Sequence, residues 1–487
     1  MLDTAALILA IDVGSSSTRT MILDREGEQL AGSFAQEHYQ LETTPDGGST
    51  LDPEAMCECI FTCIDNVLHQ SDLQGKHIGA VAMDTLVGNV LGVDAQGKAI
   101  TPIYTWADTR GSELYEAWRG RLAEVGLSPE AYTQRTGCRV HSSYWPIRLL
   151  WLEAQDPATY QQVAHWMSLG EYLYLRLFKQ RRVSFSVASW SGLFNRHNLA
   201  WDDRVLAALH LQPDQLSMLS GQPFNNPVDQ ADRWPALHDA AWFPAVGDGV
   251  ASNLGAGCNI PGRVALSVGT SGALRIIVPG TPAQAPDSLF AYRVDESRTL
   301  IGGALSNAGN LYAWMQRVLQ LPTDGDAIEE KIKQIAPDNH GLTILPFLAG
   351  ERAPGWNPDA QAVFMGMTFS TTPEQLVRAG LEAIAYRFAQ INERLAPLLP
   401  SDPVYIASGG AILSSPTWMQ IVADVLNAPV YATTNHETTI RGTVFLATGY
   451  EPAPHLGQVY LPDATRHTLY MAGLARQKML YSRLFSQ

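Results

Sequence analysis

Several features that often settle the class of a protein are missing from this sequence of 487 residues. It has only five cysteines, too few for a disulfide framework in a chain of this size. Its net charge of −15 disfavours a broad nucleic-acid-binding surface and an anionic membrane as partners. No apolar run is long enough to span a bilayer, and the apolar segment 5–11 lacks the basic flank of a signal peptide. We therefore expect a cytoplasmic protein that binds neither nucleic acid nor membrane.

The sequence also lacks the motifs of several common enzyme classes. It has no GxxxxGK[ST] phosphate loop, no HExxH zinc motif, no CxxC pair and no GxSxG nucleophile elbow. Gly255-Ala-Gly257 has no third glycine at the spacing of a dinucleotide-binding fold. P-loop enzymes, zinc proteases, serine hydrolases and Rossmann dehydrogenases are therefore disfavoured.

Three of the cysteines, Cys57, Cys59 and Cys63, lie close together in the sequence. They could form a metal site or serve as small buried side chains. Asp52 as N-cap and Pro53 at the first helical position predict a helix across them. Because Cys57 and Cys59 face apart on a helix, buried side chains are favoured over a metal site.

A short pattern is present twice, about half a chain length apart. Ala10-Ile-Asp-Val-Gly-Ser-Ser-Ser-Thr18 is followed much later by Ala265-Leu-Ser-Val-Gly-Thr-Ser-Gly-Ala273. Each copy is an apolar strand that runs into a glycine turn and hydroxyl side chains, which together can bind an anion. Two such turns can hold one polyphosphate between two domains, unless the copies are unrelated strand–turn segments. Asp12 in the first copy has Ser267 as its counterpart, which places the expected Mg²⁺ on the N-terminal side.

The pattern of apolar residues predicts a domain plan that is repeated. The first part has strand–strand–strand–helix–strand order, which indicates a mixed α/β sheet, and the second half begins the same order again. Helical spacing in segments 111–124, 144–153 and 171–178 predicts a helical middle section. Glycine, asparagine and proline concentrate in 255–262, so we place the domains at 1–257 and 258–487.

Two carboxylates are candidates for chemistry. Asp12 ends a strand just before the first glycine turn, where it could anchor Mg²⁺ or simply cap a turn. Arg19 could contact a phosphate oxygen or lie on the surface. Asp248, between Gly247 and Gly249, could take a proton from an attacking hydroxyl, although Asp-Gly is also common in surface turns. Its position just before the second glycine turn favours the base.

These residues together resemble the FGGY family of carbohydrate kinases over nearly the whole chain. The glycine turns match its phosphate loops, and Gly247-Asp-Gly249 matches its catalytic-base motif. Ala349-Gly-Glu-Arg-Ala-Pro-Gly-Trp-Asn-Pro358 with Phe364-Met-Gly-Met-Thr368 is the most specific likeness. The resemblance implies two actin-like (ribonuclease H-like) domains of the sugar kinase/Hsp70/actin superfamily with a cleft between them. It also implies ATP and Mg²⁺ as cofactors, and it leaves a homodimer open without identifying an interface.

Within the family, the chain is most similar to the gluconate kinase branch. Tyr104-Thr-Trp-Ala-Asp-Thr-Arg110, Arg135-Thr-Gly137 and the downstream His141 match that branch. By this likeness the sugar site is lined by Trp106, Asp108, Arg110 and His141. An arginine suits a sugar-acid carboxylate and an indole suits the apolar face of a sugar, although Trp106 could also be a core residue.

The sequence departs from the family at two places. A Met-His or Arg-Glu pair that touches substrate in relatives is replaced by Val87-Gly88, which puts the identity of the sugar in doubt. Asp84 lies near enough in sequence to supply the lost side-chain contact to the sugar. The loop Ala411-Ile-Leu-Ser-Ser-Pro416, expected at the adenine, is one residue longer than usual, which could relax nucleotide choice.

The resemblance therefore implies ATP-dependent phosphorylation of a sugar or sugar acid, with gluconate to 6-phosphogluconate as the first choice. Asp248 is the expected base and, with Asp12, the Mg²⁺ ligand. A kinase for xylulose, ribulose or glycerol, a non-catalytic actin-like ATP switch, and a nucleotide hydrolase remain as alternatives. The residues expected to bind the nucleotide are Gly14, Ser15, Ser16, Ser17, Arg19, Gly269, Thr270 and Ser271 for the phosphates, and Gly409, Gly410, Ala411 and Ser414 for the adenine.

Overall fold

The structure is a computed structural model that describes residues 6–73, 75–225, 232–322, 324–357, 359–435, 437–450 and 453–485. Pro358, the last residue of the family-like signature, lies outside these ranges. Within them, no helix combines the length and the hydropathy needed to cross a membrane.

The first half of the chain holds strands β1 to β15 and helices α1 to α9. The strands are β1 Leu7–Val13, β2 Ser17–Leu23, β3 Gln29–His38, β4 Glu42–Thr43, β5 Ser49–Leu51, β6 Ile78–Thr85, β7 Leu91–Val93, β8 Ile103–Tyr104, β9 His165–Met167, β10 Arg182–Val183, β11 Phe194–Asn195, β12 Ala200–Trp201, β13 Met218–Leu219, β14 Ala241–Trp242 and β15 Val246–Gly247. The helices are α1 Pro53–Gln70, α2 Tyr115–Glu124, α3 Pro129–Thr136, α4 Trp145–Gln155, α5 Pro157–Gln162, α6 Leu169–Phe178, α7 Phe185–Ser189, α8 Asp203–Ala208 and α9 Asp248–Gly255.

The second half holds strands β16 to β24 and helices α10 to α16. The strands are β16 Arg263–Val268, β17 Gly272–Pro279, β18 Phe290–Arg293, β19 Arg298–Leu305, β20 Thr343–Leu345, β21 Val363–Met365, β22 Val404–Ser408, β23 Val430–Thr433 and β24 Leu456–Tyr460. The helices are α10 Gly309–Val318, α11 Gly325–Gln334, α12 Pro373–Leu395, α13 Gly410–Leu413, α14 Pro416–Leu426, α15 Thr438–Thr448 and α16 Ala464–Phe485. Short 3₁₀ turns lie at Ser112–Leu114, Pro213–Gln215, Pro235–Leu237 and Ala396–Leu398.

Each half is built on one mixed sheet, and the two sheets have the same plan. The first sheet has the order β14-β6-β1-β2-β3, with β15 also pairing with β6; the second has β18-β19-β17-β16-β22-β23-β24. In both, an antiparallel hairpin (β1–β2 or β16–β17) lies beside a parallel partner (β6 or β22). All seven residues of β1 are buried, as expected for a central strand. The repeated glycine turns therefore sit at the same place in two repeated folds.

Local sequence explains the main helix starts. The Asp52 carboxylate accepts a hydrogen bond from the Ala55 amide at 2.8 Å, which begins α1 just where the N-cap was predicted. Cys57 and Cys63 are fully buried on this helix, and burial raises the pKa of the Cys57 thiol to about 12. This burial confirms the prediction of small buried side chains for these two cysteines. One predicted helix differs, because 111–124 opens as a 3₁₀ turn and becomes α-helical only at Tyr115.

The two halves meet where helices α9 and α15 cross. A methyl group placed on Gly255 would lie 1.6 Å from the Thr438 carbonyl oxygen, and one on Gly442 would lie 1.8 Å from the Ala251 carbonyl oxygen. Only glycine permits this close backbone approach. Ile440 and Val444 of α15 also pack into the core next to β1 and β6. This crossing places α9, and therefore Asp248, at the base of the cleft between the halves.

Candidate active site

The two glycine turns have matching geometry. The Gly14 amide donates to the Ser17 carbonyl at 3.0 Å between β1 and β2. The Gly269 amide donates to the Ser271 carbonyl at 3.0 Å between β16 and β17. Ser15, Ser16, Gly269 and Thr270 are exposed at the tips of these turns, so the hydroxyls of Ser15, Ser16 and Thr270 are available to an anion.

The second turn is supported by the start of helix α10, which sequence reasoning did not identify as part of the site. The Gly309 and Asn310 amides donate to the carbonyls of Gly269 and Thr270 at 3.1 and 3.0 Å. Asn310 and Ser306 line the same cleft as Thr270. The sequence signal for this contact was weak, since Ser306 and Asn310 follow a strand without a recognisable motif.

Three aspartates meet at the ends of neighbouring strands of the first sheet. Asp12 on β1 is in register with Asp84 on β6, and β15 pairs with the end of β6 so that Asp248 follows directly. Asp84 is fully buried, and burial together with the negative charge of Asp12 raises its pKa well above the usual range. Its Oδ2 accepts a hydrogen bond from the Thr443 hydroxyl of α15 at 2.7 Å. The expectation that Asp84 replaces a sugar contact is wrong, because it is sealed beneath the cleft.

Arg19 lies beside Asp12 on the adjacent strand. Its guanidinium donates to the Asp12 carboxylate and, at 2.7 Å, to Glu437 from the second half of the chain. A contact between Arg19 and a phosphate, as predicted, would therefore compete with two carboxylates that already bind it.

Asp248 is the first residue of α9 and faces the cleft. It begins a helix instead of a surface turn, and its Oδ1 accepts a hydrogen bond from the Gly249 amide at 2.7 Å. Burial raises the pKa of Asp248 to about 6, while the Arg275 guanidinium opposes that rise. The carboxylate is therefore mostly ionised at neutral pH, which a general base requires, and its pKa lies close to the operating pH.

The carboxylates can be tested for their fit to Mg²⁺. In nucleotide sites this ion is held by one or two carboxylates together with water and phosphate oxygens. Among the described residues, Asp12, Asp84 and Asp248 do not form a cluster tight enough to enclose an ion by themselves. Asp84 Oδ1 is buried without a hydrogen-bond partner. This arrangement fits an ion that arrives with the nucleotide better than one held by a closed protein cage.

Asp248 and both glycine turns open into one cavity. The cavity has an empty volume of about 860 Å³ and is lined by Ser15 from the first turn, Ser271 from the second turn, and Asp248. Two glycine turns that could bind phosphate and a carboxylate that could accept a proton are therefore within one space, as phosphoryl transfer to a hydroxyl would require.

Aromatic side chains form one wall of this cavity. The ring centroid of Trp190 lies 3.9 Å from that of Tyr292, and Phe290 stacks on Tyr292 at 4.4 Å. Trp356 and Tyr144 continue the wall, and the hydroxyls of Tyr144 and Tyr292 share a hydrogen bond. Such a surface can cover the C–H face of a sugar.

The sugar-site residues predicted from the sequence divide into two groups. Trp106 lines the cavity, and His141 lines the adjoining cleft, where burial and nearby arginines lower its pKa to about 3. Asp108 and Arg110 do not line either space. Arg110 donates to both oxygens of Asp108 at 3.1 and 2.6 Å and stacks on Trp151 at 4.2 Å. They stabilise the loop that carries Trp106, so the geometry does not support direct sugar contact by this pair.

The residues around Val87 and Gly88 pack closely against this small pair. Gly88 has a φ of +69°, and a methyl group there would lie 2.8 Å from the Ser143 carbonyl oxygen. A methyl group on Gly247 would lie 2.7 Å from Val87 Cγ1. The cavity wall is formed here by backbone and a valine, and a larger pair of side chains does not fit without movement.

A second cavity lies beyond the second turn. It has an empty volume of about 1130 Å³ and is lined by Ala411 and Ser414, two residues predicted to contact adenine. Gly409 adopts a φ of +96°, close against the Val268 backbone, and Gly410 is exposed beside it. A methyl group on Gly309 would lie 2.2 Å from the Gly269 carbonyl oxygen and 2.9 Å from Ala411 Cβ. The phosphate turn and the candidate adenine pocket are therefore neighbours.

Two arginines in the main cavity, Arg275 and Arg352, were missed. Both line it together with Asp248. Arg352 lies inside the family-like signature, and Arg275 lies three residues after the second turn. Nothing in a single sequence distinguishes them from surface arginines.

Comparison with known proteins agrees with this geometry. The FGGY carbohydrate kinase models match residues 7–223 for the N-terminal domain and 264–449 for the C-terminal domain. Gluconokinase of Bacillus subtilis (strain 168) is 27% identical over 454 residues, which cover 90% of this chain and 86% of that protein. Crystal structures of gluconate kinase and of ligand-bound xylulose kinase from Lactobacillus acidophilus each have a TM-score of 0.87 at 24% identity, over 99% of both chains. The expected two-domain α/β fold is confirmed, and the chain belongs to the FGGY family of carbohydrate kinases, as an ATP-dependent sugar kinase.

Proposed function

We propose that this kinase phosphorylates gluconate to 6-phosphogluconate, with Asp248 as general base and Mg²⁺-ATP held between the two glycine turns. One observation carries the proposal: Asp248 shares a cavity with Ser15 and Ser271, the hydroxyls of the two turns. An acceptor hydroxyl beside Asp248 would therefore face a phosphoryl group held by the turns.

The reaction follows from this placement. The acceptor hydroxyl gives its proton to the Asp248 carboxylate as its oxygen forms a bond to the γ-phosphorus, and the bond to ADP breaks. The exposed tips of the turns, Ser15 and Ser16 in the first and Thr270 in the second, would supply donors to the phosphate oxygens. Asp12 would hold Mg²⁺ together with water and phosphate oxygens, and the ion would neutralise charge on the polyphosphate. The aromatic wall would cover the acceptor once it is bound and so limit the access of water to ATP.

Gluconate is the preferred acceptor because the gluconokinase of Bacillus subtilis is similar over nearly the whole chain. A ketose such as xylulose is the second candidate. It is favoured by the likeness to a xylulose kinase structure and by the Val87-Gly88 pair, which removes a larger side-chain contact. An actin-like ATP switch is disfavoured because Asp248 has no role in a protein that transfers no phosphoryl group.

The test is ADP production from Mg²⁺-ATP with gluconate, xylulose, ribulose, glycerol or no acceptor. We expect gluconate to stimulate turnover and Asp248→Asn to reduce kcat by about 10²- to 10⁴-fold, the range of a lost general base. Asp239→Asn is the matched control, because its side chain is 97% exposed. Turnover without any acceptor that Asp248→Asn leaves unchanged would identify a hydrolase and contradict the proposal.

A further inference from the structure

The cavity contains two guanidinium groups that form no salt bridge with any described residue. Arg275 projects from β17, and Arg352 from the segment after β20. Among the described residues, neither makes a salt bridge, and the Nε of each is buried without a hydrogen-bond acceptor. Among the described residues, Arg148 and Arg387 also have an unpartnered Nε, but Arg387 pairs with the Glu351 carboxylate, and Arg293 has several carbonyl acceptors. Buried donors without partners are costly, which points to a ligand that supplies the acceptors.

Arg352 is held rigidly while most of its donors stay free. Its Nη2 donates to the Leu305 carbonyl at 2.9 Å, and its guanidinium lies 4.8 Å from the centre of the Trp106 ring. The preceding residue, Glu351, cannot neutralise it, because Glu351 is buried against Arg387 and accepts a hydrogen bond from the Tyr481 hydroxyl at 2.6 Å. Arg352 is thus a fixed cation that faces the aromatic wall.

Arg275, on β17, has few partners. Among the described residues its guanidinium makes one hydrogen bond, a long one of 3.4 Å from Nη1 to the Ser267 hydroxyl. A methyl group on Gly249 would lie 3.5 Å from its Cζ, so it sits beside the start of α9. Burial lowers the pKa of Arg275, the Asp248 carboxylate opposes that fall, and the positive charge of Arg352 adds to it. Two cations that disfavour each other in one cavity are stabilised when an anion lies between them.

The lining offers no internal anion other than Asp248. The remaining lining residues are neutral, and His141 in the adjoining cleft stays neutral near pH 7 because its pKa is about 3. Asp248 must also keep a free oxygen for the acceptor hydroxyl. The remaining positive charge of the cavity is therefore neutralised by the ligand.

We propose that Arg275 and Arg352 together bind the carboxylate of a sugar-acid acceptor, so that the kinase selects acidic over neutral polyols. The proposal rests on the proposed function and replaces Arg110, which is paired with Asp108, as the carboxylate-binding residue. Arg352 also borders the nucleotide cleft, so the γ-phosphate is the other oxyanion that could contact it. We favour the carboxylate for two reasons. Arg275 lines the acceptor cavity but not the neighbouring cleft, and the two turns already supply donors to the phosphates.

The test compares D-gluconate with D-glucitol, which has a CH₂OH group in place of the carboxylate and the same other carbons. The variants are Arg352→Gln, Arg275→Gln and the charge-preserving Arg352→Lys, with Arg110→Gln as the control. We expect each Gln variant to lower kcat/KM for gluconate by about 30- to 100-fold, the scale of lost charge-assisted hydrogen bonds. At about pH 8, where the Asp248 carboxylate is ionised in all of these proteins, turnover of glucitol should change by less than about threefold, a far smaller effect than a lost charge-assisted bond produces. Arg352→Lys should recover part of the gluconate activity, and Arg110→Gln should leave the gluconate-to-glucitol ratio unchanged.

Three results would overturn the proposal. If Arg352→Gln reduces turnover of both acceptors equally and raises KM for ATP, the arginine serves the phosphate. If Arg110→Gln abolishes the preference for gluconate over glucitol and the Arg275 and Arg352 variants keep it, the carboxylate binds elsewhere. If the wild-type protein phosphorylates xylulose but neither binds nor phosphorylates gluconate, the kinase function stands and the carboxylate site does not exist. Calorimetric titration of gluconate into wild-type and Arg352→Gln protein without ATP decides the question even if no acceptor is turned over, so failure of the proposed function is distinguished from failure of the site.

Discussion

Arg275 should set the pH at which the kinase loses activity. Its guanidinium is the strongest of the charges that oppose the raised pKa of Asp248, followed by the smaller opposing effect of Arg352. A general base works when it is deprotonated, so activity should fall as pH drops through the pKa of Asp248, which is about 6. Removing the cation favours the protonated form. Arg275→Gln should therefore move the acid limb of activity to higher pH.

The size of this effect can be worked out from the charges. Two unit charges about 6 Å apart interact by about 3 kcal/mol at an effective dielectric constant of about 20, which corresponds to about 2 pH units. Water in the open cavity weakens the interaction, so we expect a displacement of about one pH unit. At pH near 6.5 the variant would then work at about a quarter of its own plateau rate, whereas the wild-type protein would work at about three quarters.

The assay is kcat/KM for the acceptor between about pH 5 and 8 at saturating Mg²⁺-ATP, with each protein normalised to its own plateau. Normalisation separates the titration of Asp248 from any loss of acceptor affinity in the variant. Arg352→Gln serves as the comparison. It should displace the acid limb by less than Arg275→Gln does, because Arg352 opposes the raised pKa of Asp248 less strongly than Arg275 does. An acid limb that Arg275→Gln leaves in place, or moves to lower pH, would refute the assignment of the limb to Asp248 beside Arg275.

Two further predictions concern stability. Gly442→Ala should lower the thermal midpoint, because its methyl group would lie 1.8 Å from the Ala251 carbonyl oxygen and overpacking costs about 1–3 kcal/mol; Gly120→Ala on the exposed face of α2, where nothing lies within 4 Å, should instead stabilise the protein by up to about 1 kcal/mol. Arg387→Ala should destabilise the second half by about 3–5 kcal/mol in urea unfolding, because it leaves buried Glu351 unpaired. Adding Glu351→Gln to that variant should recover part of the loss, and a double variant less stable than the sum of the single changes would contradict this account.

The repeated fold could be predicted because its signals are local. Alternation and burial define the strands on either side of each glycine turn, and the Asp52-Pro53 pair defines the start of α1. Local signals also separated Asp248 from an ordinary Asp-Gly turn, since its place before β16 implied a site. The 3₁₀ start of the helix before Tyr115 was missed because the apolar spacing of the first turn is the same in both helix types.

The charged residues of the site could not be predicted in the same way, because their partners come from distant segments. Arg110 and Arg352 look alike in the sequence, each next to acidic and aromatic residues. In the structure, Arg110 is neutralised by Asp108, whereas the carboxylate next to Arg352 is taken by Arg387. Whether an arginine is available to a ligand depends on whether the neighbouring carboxylate pairs with it or with another cation. Tertiary packing decides which pair forms.

The candidate site is divided between the two halves of the chain. The first half supplies Asp248, and the second supplies Arg275 and Arg352, all of which line the same cavity. A neutral acceptor can engage Asp248 alone, but a sugar acid that also reaches the arginines ties the halves together. Because α9 and α15 are fixed at their glycine crossing, that tie would draw the cleft closed around the crossing instead of separating the helices. The carboxylate would then contribute to closure as well as to affinity, so its removal should slow phosphoryl transfer even at saturating acceptor.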